Sequence, residues 1–297
     1  MSTVRLTIAP CLAFAVLLAS PAGAADAGSA GSPLTARQAI ERIRSRVGAT
    51  AQADTVDTFK AGDPDTPITG IATTMMSTLD VLQRAAAAGA NLVITHEPTF
   101  FAHRDETGGL EAEGDPVYRA KLAFIRDHKL VVWRFHDLWH QRKPDGVQEG
   151  VLAALGWEKY RTTGDPLLFV LPPTTVGALG ADVKKRLGVR AMRVVGAPDQ
   201  PVSRVALLPG AWGFDAHRKA LQRTDVDALL IGEAQEWETI EYVVDAIAAG
   251  MRKALIVPGH VPSEQPGMDA CAAWLRTFIT EVPVQFVATH EPWTAIP

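Results

Sequence analysis

Asn91-Leu92-Val93-Ile94-Thr95-His96-Glu97-Pro98 joins a strand-like apolar run to an imidazole, a carboxylate and a proline. A short apolar run bounded in this way reads as a strand buried on both faces, as in parallel sheets. The pattern recurs twice. Leu130 to Phe135 leads into His136-Asp137-Leu138-Trp139-His140, and Ala254 to Gly259 leads into His260-Val261-Pro262-Ser263-Glu264.

Outward from these stretches, apolar runs of strand length fall at 68–74, 91–95, 130–135, 167–171, 192–195, 205–208, 228–231, 254–257 and 284–287. Helix-period segments separate most of them, at 77–88, 118–127, 239–249 and 268–279 among others. Thr35 and Gln38 have capping-box spacing at the head of a first helix, as do Ser77 and Asp80 further on, with Gly89 as a stop. Alternation of this kind predicts an α/β protein with mostly parallel sheets flanked by helices. The Gly164-Asp165-Pro166 turn divides an N-terminal α/β lobe, 34–163, from a C-terminal one, 164–297.

The N-terminus predicts export. Arg5 precedes an apolar run over 6–19, and Pro21-Ala22-Gly23-Ala24-Ala25 offers small residues for signal peptidase, which makes 1–24 a signal peptide and 25–33 a flexible leader. The run is shorter than the ~20 residues of a membrane-spanning helix. The expectation is therefore a periplasmic or secreted protein with no membrane attachment after cleavage. A net charge of −4 carries no nucleic-acid footprint. Cys11 falls in the signal, so Cys271, on the apolar period of a predicted helix, is a core thiol without a disulfide partner.

In open α/β sheets ligands bind beyond the carboxyl ends of the strands. Four of the eight His residues, His96, His136, His140 and His260, lie just there, beside Glu97, Asp137 and Glu264. Imidazole with carboxylate suits Zn, Mn, Fe or Ni. These donors exceed the needs of one ion; two divalent transition-metal ions about 3.5–4 Å apart would use them and would activate water for hydrolysis. Glu233 and Glu236, after the run ending at Ile231, are candidate proton carriers, although a solvated helix start explains them equally well. His103, His128 and His217 read as surface or hydrogen-bonded residues, and His290, which could line the pocket, reads rather as a terminal strand end packed by Trp293 and stays outside the expected site. Nucleophile-elbow, P-loop and dinucleotide motifs do not occur in the sequence.

Together these residues resemble the Nif-three-like dinuclear metal-centre proteins, also described as the GTP cyclohydrolase I type 2 family. The likeness rests on Asn91 to Pro98, on Gly259-His260-Val261-Pro262-Ser263-Glu264, and on Val205 to Gly213 with Ala228 to Glu233. It implies metal ligation by His96, His260 and Glu264, and it puts Glu97 where the family has a second His. The remaining ligand falls on Asp137 or His140, with His136 orienting a neighbour. Trp237 lies near the place of a family His that is missing here. The resemblance further implies metals between two lobes, a small-molecule substrate or ligand, and a homo-oligomer in the form of a ring-shaped hexamer. A metal-dependent hydrolase and a non-catalytic binding or scaffold protein both fit it.

Overall fold

The computed structural model describes residues 33–294. The expected signal peptide and all but the end of the leader lie outside the described residues. Eleven strands occur among the described residues: β1 (Phe59–Ala61), β2 (Ile71–Thr74), β3 (Leu92–Thr95), β4 (Val131–Arg134), β5 (Arg161–Thr162), β6 (Asp165–Thr175), β7 (Arg193–Val195), β8 (Pro201–Leu208), β9 (Ala228–Ile231), β10 (Ala254–Val257) and β11 (Val284–Phe286). They form two sheets, ordered β1-β4-β3-β2-β11 and β5-β6-β8-β9-β10-β7.

The α/β expectation of mostly parallel sheets flanked by helices is met, with antiparallel strands at the flanks. In the first sheet β4, β3, β2 and β11 run parallel and only β1 is antiparallel to its neighbour. In the second, only β8, β9 and β10 are mutually parallel; β6, β5 and β7 pair antiparallel at the flanks. The parallel centre is where each strand is wholly buried, as in β2, β3, β4, β9 and β10. β11, beyond the expected division at residue 164, returns to pair with β2 and so completes the first sheet from the far end of the chain.

Side chains alternate across a strand, and this alternation allots each strand to two cores. Ile71, Leu92, Ile94, Val131 and Trp133 of the first sheet share one cluster with Val205, Leu207, Ala228, Leu230, Ala254 and Ile256 of the second. The helices Ala36–Val47, Gly146–Leu155, Val176–Leu187 and His260–Leu275 contribute to the same cluster. Opposite faces pack separately: Ala72, Val93 and Val132 with the helices Leu79–Ala87 and Pro116–Asp127, and Leu229, Ile231 and Leu255 with Phe214–Gln222 and Glu241–Ala248. No helix of the described residues is long and apolar enough to cross a membrane.

Local signals at helix starts hold with one shift. Thr35 and Gln38 form the capping box. For the second helix the cap is Thr78, accepting from Val81 N, while the Ser77 hydroxyl bonds Thr99. The largest revision concerns the last long helix, expected from 268: it begins at His260. Gly150 lies so close to Pro266 and Gly267 that an added Cβ would stand 2.4 Å from the Pro266 carbonyl oxygen. This backbone contact with Gly146–Leu155 favours a helix through Pro266, which on its own disfavours one.

Candidate metal centre

The carboxyl ends of β3, β4, β9 and β10 bring their polar side chains to one cleft of about 620 Å³. Past the end of β3 the parallel ladder runs on: His96 N bonds Thr74 O at 3.1 Å and Glu97 N bonds Met75 O at 2.9 Å. Both backbones are thus fixed. The His96 side chain is fully buried, and its Nδ1 donates to the Phe135 carbonyl at 3.1 Å. A carbonyl only accepts, so Nδ1 carries the proton and Nε2 presents a lone pair. That buried Nε2 has no hydrogen-bond partner.

After β4 the chain turns into the short helix Asp137–Gln141. Buried Asp57 holds this turn, accepting from the backbone N–H of His136 at 2.7 Å, Asp137 at 2.9 Å and Leu138 at 2.8 Å. Both histidines of the turn are oriented through Nδ1, His136 by Asp137 at 2.8 Å and His140 by Asp145 at 3.0 Å. Each therefore keeps Nε2 for the cleft, the arrangement usual for metal-bound imidazoles.

On the second sheet Gly259, at φ +110°, turns the chain from β10 into the His260–Leu275 helix. His260 and Glu264 are four residues apart, on one helix face, with Nε2 and Oε2 at 3.0 Å. Glu264 fits beneath Gly210, where an added Cβ would stand 2.2 Å from Oε1. His260 also faces Glu97 Oε1 at 3.4 Å and, through Nδ1, Glu233 Oε2 at 3.4 Å.

Two groups of three donors result, His96/His136/His140 and His96/Glu97/Glu264, each with ligand atoms within 4.8 Å of one another. The electrostatics match a cation. Glu97, Glu233 and Glu264 converge on His260; burial opposes its charge, but the three carboxylates outweigh burial and hold the imidazole well above its ordinary range. Burial and the neighbouring imidazoles push His96 well below its range, and burial with His140 pushes His136 down. The neutral imidazoles of His96 and His136 beside surplus carboxylate are the donor chemistry of a transition-metal site.

His96, Glu97, His140, His260 and Glu264 come together as expected from the sequence. Of the two alternatives Asp137 and His140, Asp137 does not join them: its carboxylate accepts from Thr55 Oγ1, Val56 N and His136 and so orients His136. Glu233 reaches the cleft through His260. Glu236 does not, being 78% exposed and 3.6 Å from Arg193. His103, read as a surface residue, stands at the cleft wall, its ring 6.3 Å from that of His136.

Arg134 escaped sequence reasoning. It is fully buried inside β4 and donates to Glu97 Oε2 at 3.1 Å and to the His96 carbonyl at 2.9 Å. A lone Arg in an otherwise apolar strand was the available signal. Trp212, hydrogen-bonded to the Pro209 carbonyl and half-exposed, forms part of the rim.

Fold and site thus define an α/β protein with a candidate His/Glu metal-binding cluster at its strand ends. Residues 37–292 match the family described as Duf34/NIF3 (NGG1p interacting factor 3), and the chain belongs to that family. It is 25% identical over 218 residues to a GTP cyclohydrolase 1 type 2 homolog of Clostridium acetobutylicum, spanning 70% of this chain and 76% of that one. A homolog of the same description from Chlamydia pneumoniae is 22% identical over 247 residues, 79% of this chain and 90% of the other. The fold is similar to that of a Bacillus cereus protein related to NIF3, with a TM-score of 0.69 at 15% identity over 89% of this chain and 99% of that one.

Proposed function

We propose that this chain is an exported metal-dependent hydrolase of small molecules that holds two divalent transition-metal ions, Zn, Mn, Fe or Ni, in the cluster around His96. The observation that carries the reading is the gathering of His136, His140, Glu97 and Glu264 around the buried, unpartnered Nε2 of His96; that nitrogen has one lone pair and serves one ion, so a second ion would rest on the other donors. Ions bound there supply Lewis acidity and acidify water at neutral pH. Nitrogen donors come from His96, His136, His140 and His260. Glu97 and Glu264 would provide oxygen donors, and Arg134 fixes one oxygen of Glu97 so that the other faces the cleft.

Glu233 is the proton carrier in this reading. It is half-exposed, stands 3.4 Å from His260 Nδ1, and lines the cleft. A carboxylate that is ionised yet reachable from solvent can take a proton from an attacking water and pass it on. Glu236 has no part in the reaction. Export to the periplasm or medium and assembly as a hexameric ring belong to the same proposal. The apolar leader at 6–19 and the family resemblance support them.

Elemental analysis of protein purified from its native compartment tests the reading. Two ions per chain are expected, with loss of both on His96→Ala. Less than one ion per chain, or unchanged binding in His96→Ala, overturns it. With the metal known, cyclohydrolase, amide and phosphoester substrates are to be screened, cyclohydrolase first because of the names borne by the relatives. N-terminal sequencing and native mass measurement check export and assembly.

A further inference from the structure

Beside the His/Glu cleft lies a second cavity, of about 600 Å³, that shares Glu97, Pro98 and His103 with it. Its other lining is largely apolar, with Met76, Leu79, Phe101 and Val117. Phe101 and Val117 are 64% and 60% exposed, so large apolar surfaces stand open to solvent at this point. Into the same cavity comes one charged side chain from the helix Pro116–Asp127, Lys121, which is only 5% exposed.

An ammonium has three donors. Among the described residues the Thr99 carbonyl is the one acceptor for Lys121, and no carboxylate forms an ion pair with it. The faces of Phe100 and Phe101 lie close by, at 5.7 and 5.4 Å from ring centroid to Nζ. Asp105, whose charge acts on it, is paired with Lys60 at 3.3 Å. Burial lowers the Lys121 amine to about 8, which shows how incompletely the site compensates the charge. A buried cation of this kind at the end of an apolar cavity is complementary to an anion carried on an apolar body.

We propose that this cavity is a substrate subsite for a compact apolar group bearing a carboxylate, with Lys121 as its counter-charge and Phe101 and Val117 as its walls. The assignment of a substrate rests on the hydrolase reading of the neighbouring cluster. Because Glu97 belongs to both cavities, a molecule that fills this one and extends past Glu97 enters the cleft. The substrate class is then an apolar acid joined to a polar group through the bond at which the cluster acts.

Calorimetric titration of the full chain with 3-phenylpropionate and with 3-phenyl-1-propanol, after removal of metal by a chelator, tests the subsite apart from the cluster. The acid is expected to bind at least about tenfold more tightly than the alcohol, the strength of one added charge-assisted hydrogen bond. Lys121→Met is expected to abolish that preference, and the surface substitution Val117→Asp to abolish binding of the acid with the melting temperature unchanged. Absence of acid binding, equal affinity for acid and alcohol, or unaltered acid binding in Lys121→Met overturns the subsite. Metal content of the same variants before chelation separates the two readings. Full metal with no acid binding removes the subsite alone, whereas acid binding by a chain that takes up no metal removes the hydrolase alone.

Discussion

Asp145 divides its two oxygens between structure and site: Oδ2 orients His140 Nδ1 at 3.0 Å, while Oδ1 caps the Gly146–Leu155 helix through Val147 N at 2.8 Å and Gln148 N at 3.0 Å. Replacing the carboxylate by an amide separates these tasks. In Asp145→Asn the amide oxygen keeps the cap, but an NH₂ donor now faces His140. The imidazole must then accept at Nδ1 and carry its proton on Nε2, which removes the lone pair from the cleft. Expected is a drop of about 10–100-fold in metal affinity with little change in thermal unfolding. Metal titration beside a melting curve reads both, and unchanged affinity would take His140 out of the ligand set.

Arg134 offers a second test, because it is a positioning residue with no access to the cleft solvent. Its guanidinium bonds Glu97, His96 and His103 at once. Arg134→Met leaves Glu97 Oε2 as a buried oxygen without its partner, His260 being the remaining cation beside Oε1. Removal of one partner of such a pair destabilises by about 3–5 kcal/mol, so the midpoint of urea unfolding is expected to fall sharply. Addition of the native metal should restore part of that loss, since a bound cation neutralises the stranded carboxylate. A variant equally destabilised with and without metal would detach Arg134 from the centre.

The fold was readable where burial alone decides structure. Leu92–Thr95, Ala228–Ile231 and Ala254–Val257 are apolar runs buried on both faces, and each coincides with a strand to within a residue. Edge strands such as Phe59–Ala61 and Arg161–Thr162 are short and half-exposed, so no apolar run marks them. In the candidate site, His96, His260 and Glu264 follow buried strands directly and announced themselves. The choice between Asp137 and His140 depended instead on Thr55 and Val56, about eighty residues earlier, which draw Asp137 away. Contacts so distant in the chain leave no local pattern, and the same holds for the Asp57 anchor of the His136 turn.

Acid stability is expected to depend on Asp227, far from the cleft. Burial raises its pKa, but Arg204 and the backbone N–H groups of Arg204 and Ser203 outweigh burial and bring it to about 2. A carboxyl whose folded value lies below its unfolded one near 3.9 stabilises the native state fully above that unfolded value and loses the contribution as pH falls through about 2. With Arg204 partly exposed and its charge screened, the contribution is about 1–2 kcal/mol. Asp227→Asn should lower stability by that amount at pH 7 and should flatten the acid limb between roughly pH 4 and 2. Urea unfolding at several pH values shows it, and parallel curves for variant and parent would refute it.

Gly210 gives the sharpest separation of fold from site. Its φ of +75° is a left-handed conformation that an L side chain adopts only under strain. Its N–H donates to Ser263 Oγ at 3.0 Å, and the hydroxyl in turn donates to the His260 carbonyl at 2.7 Å, so loop and helix start are tied together. A methyl group here would lie 2.2 Å from Glu264 Oε1 and 2.6 Å from its Cδ. Backbone strain in the left-handed region costs about 1–2 kcal/mol, which a chain of this size survives, but the Glu264 carboxylate has to leave its place. Gly210→Ala is therefore expected to stay folded and to lose metal as severely as Glu264→Ala does. The double variant should bind no worse than either single one, because both act on the same ligand. Additive losses in the double variant would mean that Gly210 shapes the centre by some route other than the room it leaves for Glu264.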